Sequence, residues 1–155
     1  CSYDWTVRVW SARESSEVLV CHQISDQALK AQVNDIEWSP NTSSCFASVA
    51  NDGRIEIWDL FMDNLGPVVT YFDKNEAGEN IKTPKTIVRF SASSPVILTG
   101  NLNGEVDVYR TRGLEHVQVS ERDQQIRLMT ALKQDEFSSE KKPEAKKEAT
   151  EEVKE

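Results

Sequence analysis

The sequence predicts an all-β fold of repeated four-stranded antiparallel sheets, followed by one helix and a charged tail. Three observations carry this. A phrase of turn, alternating strand and closing aromatic is written three times: "YDWTVRVWSA", "NDGRIEIWDL" and "NLNGEVDVYR". The closing aromatics Trp10, Trp58 and Tyr109 are spaced by 48 and 51 residues, long enough for one four-stranded unit per period. Between the turns, apolar and polar residues alternate with the period of two that a strand imposes.

The first period is partial. A turn at Tyr3-Asp4-Trp5 leads into "TVRVWSA", and "EVLVCHQI" follows as the next strand. The second period is complete. "QVNDIEWSP" alternates and stops at Pro40, which cannot donate to a ladder. "SCFASVAND" runs into Asp52-Gly53, a hairpin signal because such turns demand positive φ. Asp52 is expected to accept from backbone N–H groups of its own turn. "RIEIWDL" then sets Ile55 and Ile57 against Arg54, Glu56 and Trp58, and "PVVTYFD" supplies a fourth strand after the loop "FMDNLG". The third period repeats the order with "KTIVRFSAS", "PVILTGNLNG" and "EVDVYRT", and "LEHVQVS" is its expected fourth strand.

Four short antiparallel strands per period of this length describe one propeller blade with a lengthened loop. The chain holds roughly half a blade plus two full ones over residues 1–119. A propeller closes with about 4–8 blades. The strand pattern is already under way at Cys1, so the remaining blades are expected upstream of it.

From Ser120 the pattern changes. Residues 120–137, "SERDQQIRLMTALKQDEF", form a predicted helix with Ser120 as its cap and Asp123 three residues on. Ile126, Met129 and Leu132 recur at helical spacing. That stripe has two readings: packing on the outside of the blades, or docking on a partner groove. Residues 138–155 hold five Lys, six Glu and no aromatic. Such a segment buries too little to offset its ordering entropy, so a disordered tail is expected.

Composition limits the function classes. The net charge of −8 opposes direct nucleic-acid or anionic-membrane binding, which needs clustered Lys and Arg. No apolar run approaches the roughly 20 residues of a bilayer span. Three irregularly spaced cysteines, Cys1, Cys21 and Cys45, suit a reducing compartment. Catalysis has little support: there is no Gly-rich phosphate loop, nucleophile elbow or CxxC pair. The two histidines, His22 and His116, sit beside apolar residues in expected outer strands, and Cys21 beside His22 is too little for zinc. No cofactor or metal is expected, and no enzyme activity.

The phrases resemble WD40 repeats, although only Trp58-Asp59 is the literal dipeptide. The Gly-His pair that precedes the first strand of a standard repeat is absent throughout, so the His-Asp-Ser/Thr-Trp hydrogen-bond network of that repeat is not expected intact. In order and spacing, "DWTVRVW", "VNDIEWSPNTSSCFASVANDGRIEIWDL" and "VRFSASSPVILTGNLNGEVDVY" resemble the last repeats of dynein intermediate chains, especially the axonemal type. The match covers Cys1 to Tyr109. It rests on Asp35, Trp38, Pro40, Phe46, Asp52, Gly53, Trp58 and Asp59, all of them structural repeat positions.

The resemblance implies a non-catalytic scaffold subunit of an axonemal dynein complex. Its propeller would bind the heavy-chain tail, with a second intermediate chain and light chains as further partners. It implies a place in the cytoplasm, on the cytoskeleton and in the ciliary axoneme. Two other classes remain: a peptide-binding WD40 adaptor of another pathway, or a non-catalytic domain of a larger enzyme. The rim carrying the turns at Asp52 and Asn103 also carries the connections at 25–32 and 73–84. The second is longer than a hairpin requires, so Asp73, Lys74, Glu76 and Glu79 are candidate partner contacts, beside Ile126, Met129 and Leu132 on the helix. The competing reading of that loop is a solvated insertion.

Overall fold

Turn chemistry starts each strand pair in the structure, a computed structural model that describes residues 1–12, 15–22, 31–113 and 120–139. The expected fourth strand at 114–120 (save Ser120), nearly all of the 25–32 connection and the tail from residue 140 lie outside the described residues. In the second period Asp52 accepts the Arg54 N–H at 3.2 Å through Oδ1, as its turn position requires, and Gly53 has φ +86°. In the third, Asn101 accepts the N–H groups of Asn103 and Glu105, each at 3.0 Å. In the first, Asp4 accepts from the Thr6 N–H at 3.1 Å.

Among the described residues the strands form three antiparallel sheets. The first pairs β1 (Thr6–Trp10) with β2 (Glu17–His22). The second orders β3 (Val33–Trp38), β4 (Cys45–Ala50), β5 (Ile55–Asp59) and β6 (Val69–Tyr71) as a meander. The third orders β7 (Lys85–Phe90), β8 (Val96–Asn101) and β9 (Val106–Arg110). Trp10, Trp58 and Tyr109 all lie on the strand that follows the turn, as the repeat requires. The fourth strand of the second sheet is three residues long, each of them exposed, and shorter than the apolar run that predicted it.

The middle sheet is covered on both faces. On one, Phe46, Trp58, Leu60 and Val33 pack with Val7, Leu19 and Cys21 of the first sheet. On the other, Cys45, Ala47, Val49, Ile55 and Ile57 pack with Val88 and Ile97 of the third. Hence every residue of β4 and β5 is buried, although the sequence of β5 alternates. Trp58 stacks on Phe46 with ring centroids 5.7 Å apart, and the exposed Trp38 meets Phe46 edge-on at 5.3 Å. The Trp58 indole donates to Ser48 Oγ at 3.3 Å, and Ser48 donates to Glu56 at 3.2 Å. The Trp–Ser part of the repeat network thus survives without a histidine, with Glu56 accepting the hydroxyl's hydrogen bond.

Side chains of β3 finish the neighbouring sheet. The free edge of β7 leaves N–H groups that need acceptors. Asp35 accepts the Val88 N–H at 3.0 Å and the Arg89 guanidinium at 2.8 Å, and Glu37 accepts the Phe90 N–H. Asn34 donates to the Lys85 carbonyl at 2.7 Å. Asp35 is therefore a joint between sheets. Among the described residues, Ile87, Val106 and Val108 of the third sheet are exposed.

Gly53 also supports a tertiary contact. A Cβ there would lie 2.8 Å from the Ile81 carbonyl oxygen and 2.9 Å from that of Thr83. Gly53→Val is expected to cost about 2–3 kcal/mol, combining left-handed strain with displacement of the 73–84 connection. Chemical denaturation measures it, and an unchanged midpoint would show that the turn accepts a side chain.

Helix α1 (Glu121–Ser139) runs two residues past its expected end, taking Ser138 and Ser139 out of the tail. Ser120 caps it, accepting the Asp123 N–H at 3.2 Å while its hydroxyl donates to the Asp123 carboxylate at 2.6 Å.

Candidate partner-binding site

The connection at 73–84 folds on itself. Lys74 and Asn80 form an antiparallel bridge. The Glu79 N–H donates to Asn75 Oδ1 at 2.9 Å, the Gly78 N–H to the Asn75 carbonyl at 2.9 Å, and the Ile81 N–H to the Asp73 carbonyl at 2.7 Å. Gly78 supplies φ +80° at the tip. The segment is a built tab lying against the Gly53 turn, so this connection and that turn share a rim. Lys74, Glu76 and Glu79 are exposed on it.

Asp73 behaves differently from the other three. Its carboxylate accepts from the Tyr109 hydroxyl at 2.8 and 2.9 Å and pairs with Lys85 Nζ at 2.7 Å. Lys85, buried to 2 % exposure on β7, also reaches Asp107 at 2.6 Å and the Tyr109 oxygen at 3.0 Å. Asp73 is the root of the tab, tied across to the third sheet. Burial pulls the Lys85 ammonium toward its neutral form. The hydrogen bonds to Asp107, Asp73 and Tyr109 outweigh this and hold its pKa above the ordinary amine value. Burial, reinforced by Asp73, pushes the Tyr109 phenol up to about 12.

The opposite rim receives the helix. Gln124 donates to the Asn41 carbonyl at 2.7 Å and accepts the Ser43 N–H at 2.8 Å. Arg127 donates to Ser44 Oγ at 2.7 Å and to Asp59 Oδ2 at 2.6 Å. Its guanidinium lies 4.4 Å from the Phe61 ring centroid. Asp59 is completed by Ser44 Oγ at 2.6 Å and the Phe61 N–H at 3.1 Å. The acid of the Trp-Asp pair thus fixes a helix far along the chain.

The predicted helical stripe divides. Ala131 is buried and Leu132 half-buried against the cluster between the first two sheets, so Leu132 is a packing residue. Ile126 and Met129 are 54 % and 49 % exposed. Sequence reasoning missed Gln124 and Arg127 because an apolar stripe was the signal sought, and polar clamp residues leave none. It missed Lys85 for a similar reason: the repeat places Val33 at the matching position of β3, and nothing local marks a lysine as buried.

Chemistry at the site is that of contact. Among the described residues, no group of three His, Cys, Asp or Glu side chains is placed to hold a metal ion, and no helix is long and apolar enough to cross a membrane. Burial, with a contribution from Asp59, pushes the Cys45 thiol up to about 12, so it stays protonated at neutral pH.

No protein-family profile matches the chain. It is 34% identical over 117 residues to dynein axonemal intermediate chain 4 of Homo sapiens, covering 76% of this chain and 12% of that protein. The same protein of Mus musculus is 31% identical over 133 residues, covering 86% and 15%. Dynein intermediate chain 2, ciliary, of Heliocidaris crassispina is 26% identical over 106 residues, covering 68% and 14%. The chain thus spans 12% to 15% of the length of these relatives. Among solved structures, Saccharomyces cerevisiae Sqt1 superposes with a TM-score of 0.55 at 18% identity, covering 74% of this chain and 31% of that one. The C-terminal WD40 domain of Sif2 gives 0.53 at 19%, covering 73% and 30%. At such identities these likenesses speak for the fold alone: three sectors of a WD40 propeller.

Proposed function

The chain belongs to the dynein intermediate chain family of WD40 proteins, and from that premise we propose that it acts as a non-catalytic scaffold piece of an axonemal dynein. In this reading residues 1–119 are blades of a propeller that binds the tail of a dynein heavy chain. That contact assembles and anchors the motor arm for ciliary motility. A second intermediate chain and light chains complete the complex. Its place is the cytoplasm and the cytoskeleton of the ciliary axoneme, without direct contact to nucleic acid or membrane.

The observation that carries the reading is the stacking of the sheets. The middle sheet is covered on both faces, while among the described residues the third leaves Ile87, Val106 and Val108 exposed. That is the geometry of ring sectors, and a ring with built connections on both rims suits a role in holding partners together. The tab at Lys74, Glu76 and Glu79 and the outward helix residues Ile126 and Met129 are the contacts proposed for them.

Pulldown from ciliary extract with the tagged chain tests this. Recovery of a dynein heavy chain is the expected result. Recovery of an unrelated short-motif ligand would favour the peptide-binding adaptor. ATPase or hydrolase activity of the full-length protein without heavy chain would favour the larger-enzyme reading. Glu76→Lys reverses an exposed tab charge without touching the Asn75–Glu79 bonds. Its stability is expected within about 0.5 kcal/mol of the parent, with heavy-chain recovery reduced. Undiminished recovery would remove the tab from the interface.

A further inference from the structure

Helix α1 follows the third sheet in the chain yet packs elsewhere. Its inward side meets the rim of the second sheet at residues 41–44 and at Asp59. It also reaches the cluster between the first and second sheets. The helix therefore lies across a joint that β7–β9 do not share.

The attachment is mostly polar. Among the described residues, the helix adds buried Ala131 and half-buried Leu132 to that cluster. Ser43 donates twice to Gln124, by its N–H to the side chain at 2.8 Å and by its hydroxyl to the main-chain carbonyl at 2.6 Å. Gln124 donates onward to the Asn41 carbonyl, and Arg127 to Ser44 and Asp59. Groups that leave such bonds meet water instead, so the net gain of each is modest. The strands are held differently, by continuous ladders and two apolar clusters.

Neither part depends on the other for its own bonds. Asp59 keeps Ser44 Oγ at 2.6 Å and the Phe61 N–H at 3.1 Å when Arg127 is gone. The helix carries its own cap, Ser120 with Asp123, and borrows none from the rim. Elements joined in this way open at a lower free energy than the whole fold.

We propose that α1 is a releasable strap. It leaves and re-engages the rim as one unit while the sheets stay folded. Its lock is Arg127 on Asp59, whose side chains are 32 % and 10 % exposed. Docked, the strap shields Ala131, Leu132 and the cluster beneath them; released, it bares them. The device is a property of this chain, whichever partner the propeller holds.

Native-state amide exchange on the 155-residue chain, in low urea, tests it. The amides of Gln125–Leu132 are expected to share one protection factor, at least about tenfold below that of β4 and β8. Their urea dependence is expected to be shallow, because opening exposes little surface. Val88→Ala, in the core between the second and third sheets, is expected to lower the protection of β4 and β8 at least about tenfold and to leave that of α1 unchanged. Arg127→Gln is expected to lower α1 protection about tenfold. The strap is overturned if α1 shares the protection and urea slope of the strands, or falls with them in Val88→Ala, since helix and sheets are then one unit. Values graded from the helix ends would mean fraying in place, and protection near unity a helix that never docks; either overturns it. Unchanged α1 protection in Arg127→Gln would remove Arg127 as the lock. Should a variant fail to fold, the urea slopes of the parent chain decide alone.

Discussion

Trp58→Ala is expected to remove about 4 kcal/mol of folding stability, the largest loss at any single position discussed. Trp58 is fully buried, stacks on Phe46 with the rings 6° from parallel, and belongs to the cluster that joins the first two sheets and the helix. Truncating a buried indole leaves a cavity as well as lost transfer energy, typically about 3–5 kcal/mol. It also leaves Ser48 without its indole donor. Domains of this size are stable by only about 5–15 kcal/mol, so most of the margin would go. Urea denaturation followed by circular dichroism measures it. A loss below about 2 kcal/mol would mean that the sheets close around the gap. Trp58→Phe, which keeps the stack and drops the hydrogen bond, separates the two contributions.

Lys85→Met is expected to cost about 3 kcal/mol, because removing one partner of a buried ion pair leaves the others uncompensated. The figure sits at the low end of that range since Asp73 and Asp107 keep side-chain exposures of 25 % and 38 %. The loss should have two parts. The third sheet loosens, and the tab loses its root at Asp73, so amide exchange at Ile81 should quicken with that at Tyr109. If only β7–β9 loosened, Asp73 would not be the anchor of the tab.

The same cluster sets an alkaline limit. Lys85 holds its proton more tightly in the fold than in the open chain, so its contribution is complete below its ordinary value of 10.5 and is lost as pH rises through the higher folded value. Tyr109, raised from 10.0 to about 12, acts in the same direction: its neutral form is favoured in the fold, and stability falls as pH rises above 10. Stability should therefore decline from about pH 10 upward.

How much of this was legible follows from the kind of force involved. The turns were readable at Asp52-Gly53 because positive φ and side-chain acceptance are local demands. The Ser120 cap was readable for the same reason. The burial of Glu56 and Arg54 was not. Arg54 just before β5 and Glu56 within it alternate with isoleucines and look like a solvent face, yet both are buried. The pKa of Glu56 is raised by that burial, against the pull of Arg54. The helix was legible as a helix but not by its packing face. Gln124 and Arg127 carry its polar contacts, while two of three predicted apolar positions face outward.

The candidate contacts divide along the same line. Lys74, Glu76 and Glu79 were placed on an exposed connection by its length, and exposed they are. Asp73 begins the same connection, and its neighbours in sequence give no hint that Lys85 and Tyr109 stand opposite.

The sequence by itself determined the repeat, the strand order, the turn residues and the family, since each is written in spacings of a few residues that no distant contact can alter. Only the tertiary structure decided which faces are inside, which acids are joints and which lysine is locked. Those depend on what lies across a gap from a residue far along the chain. A strand with a sheet on either side obeys its neighbours rather than its own alternation.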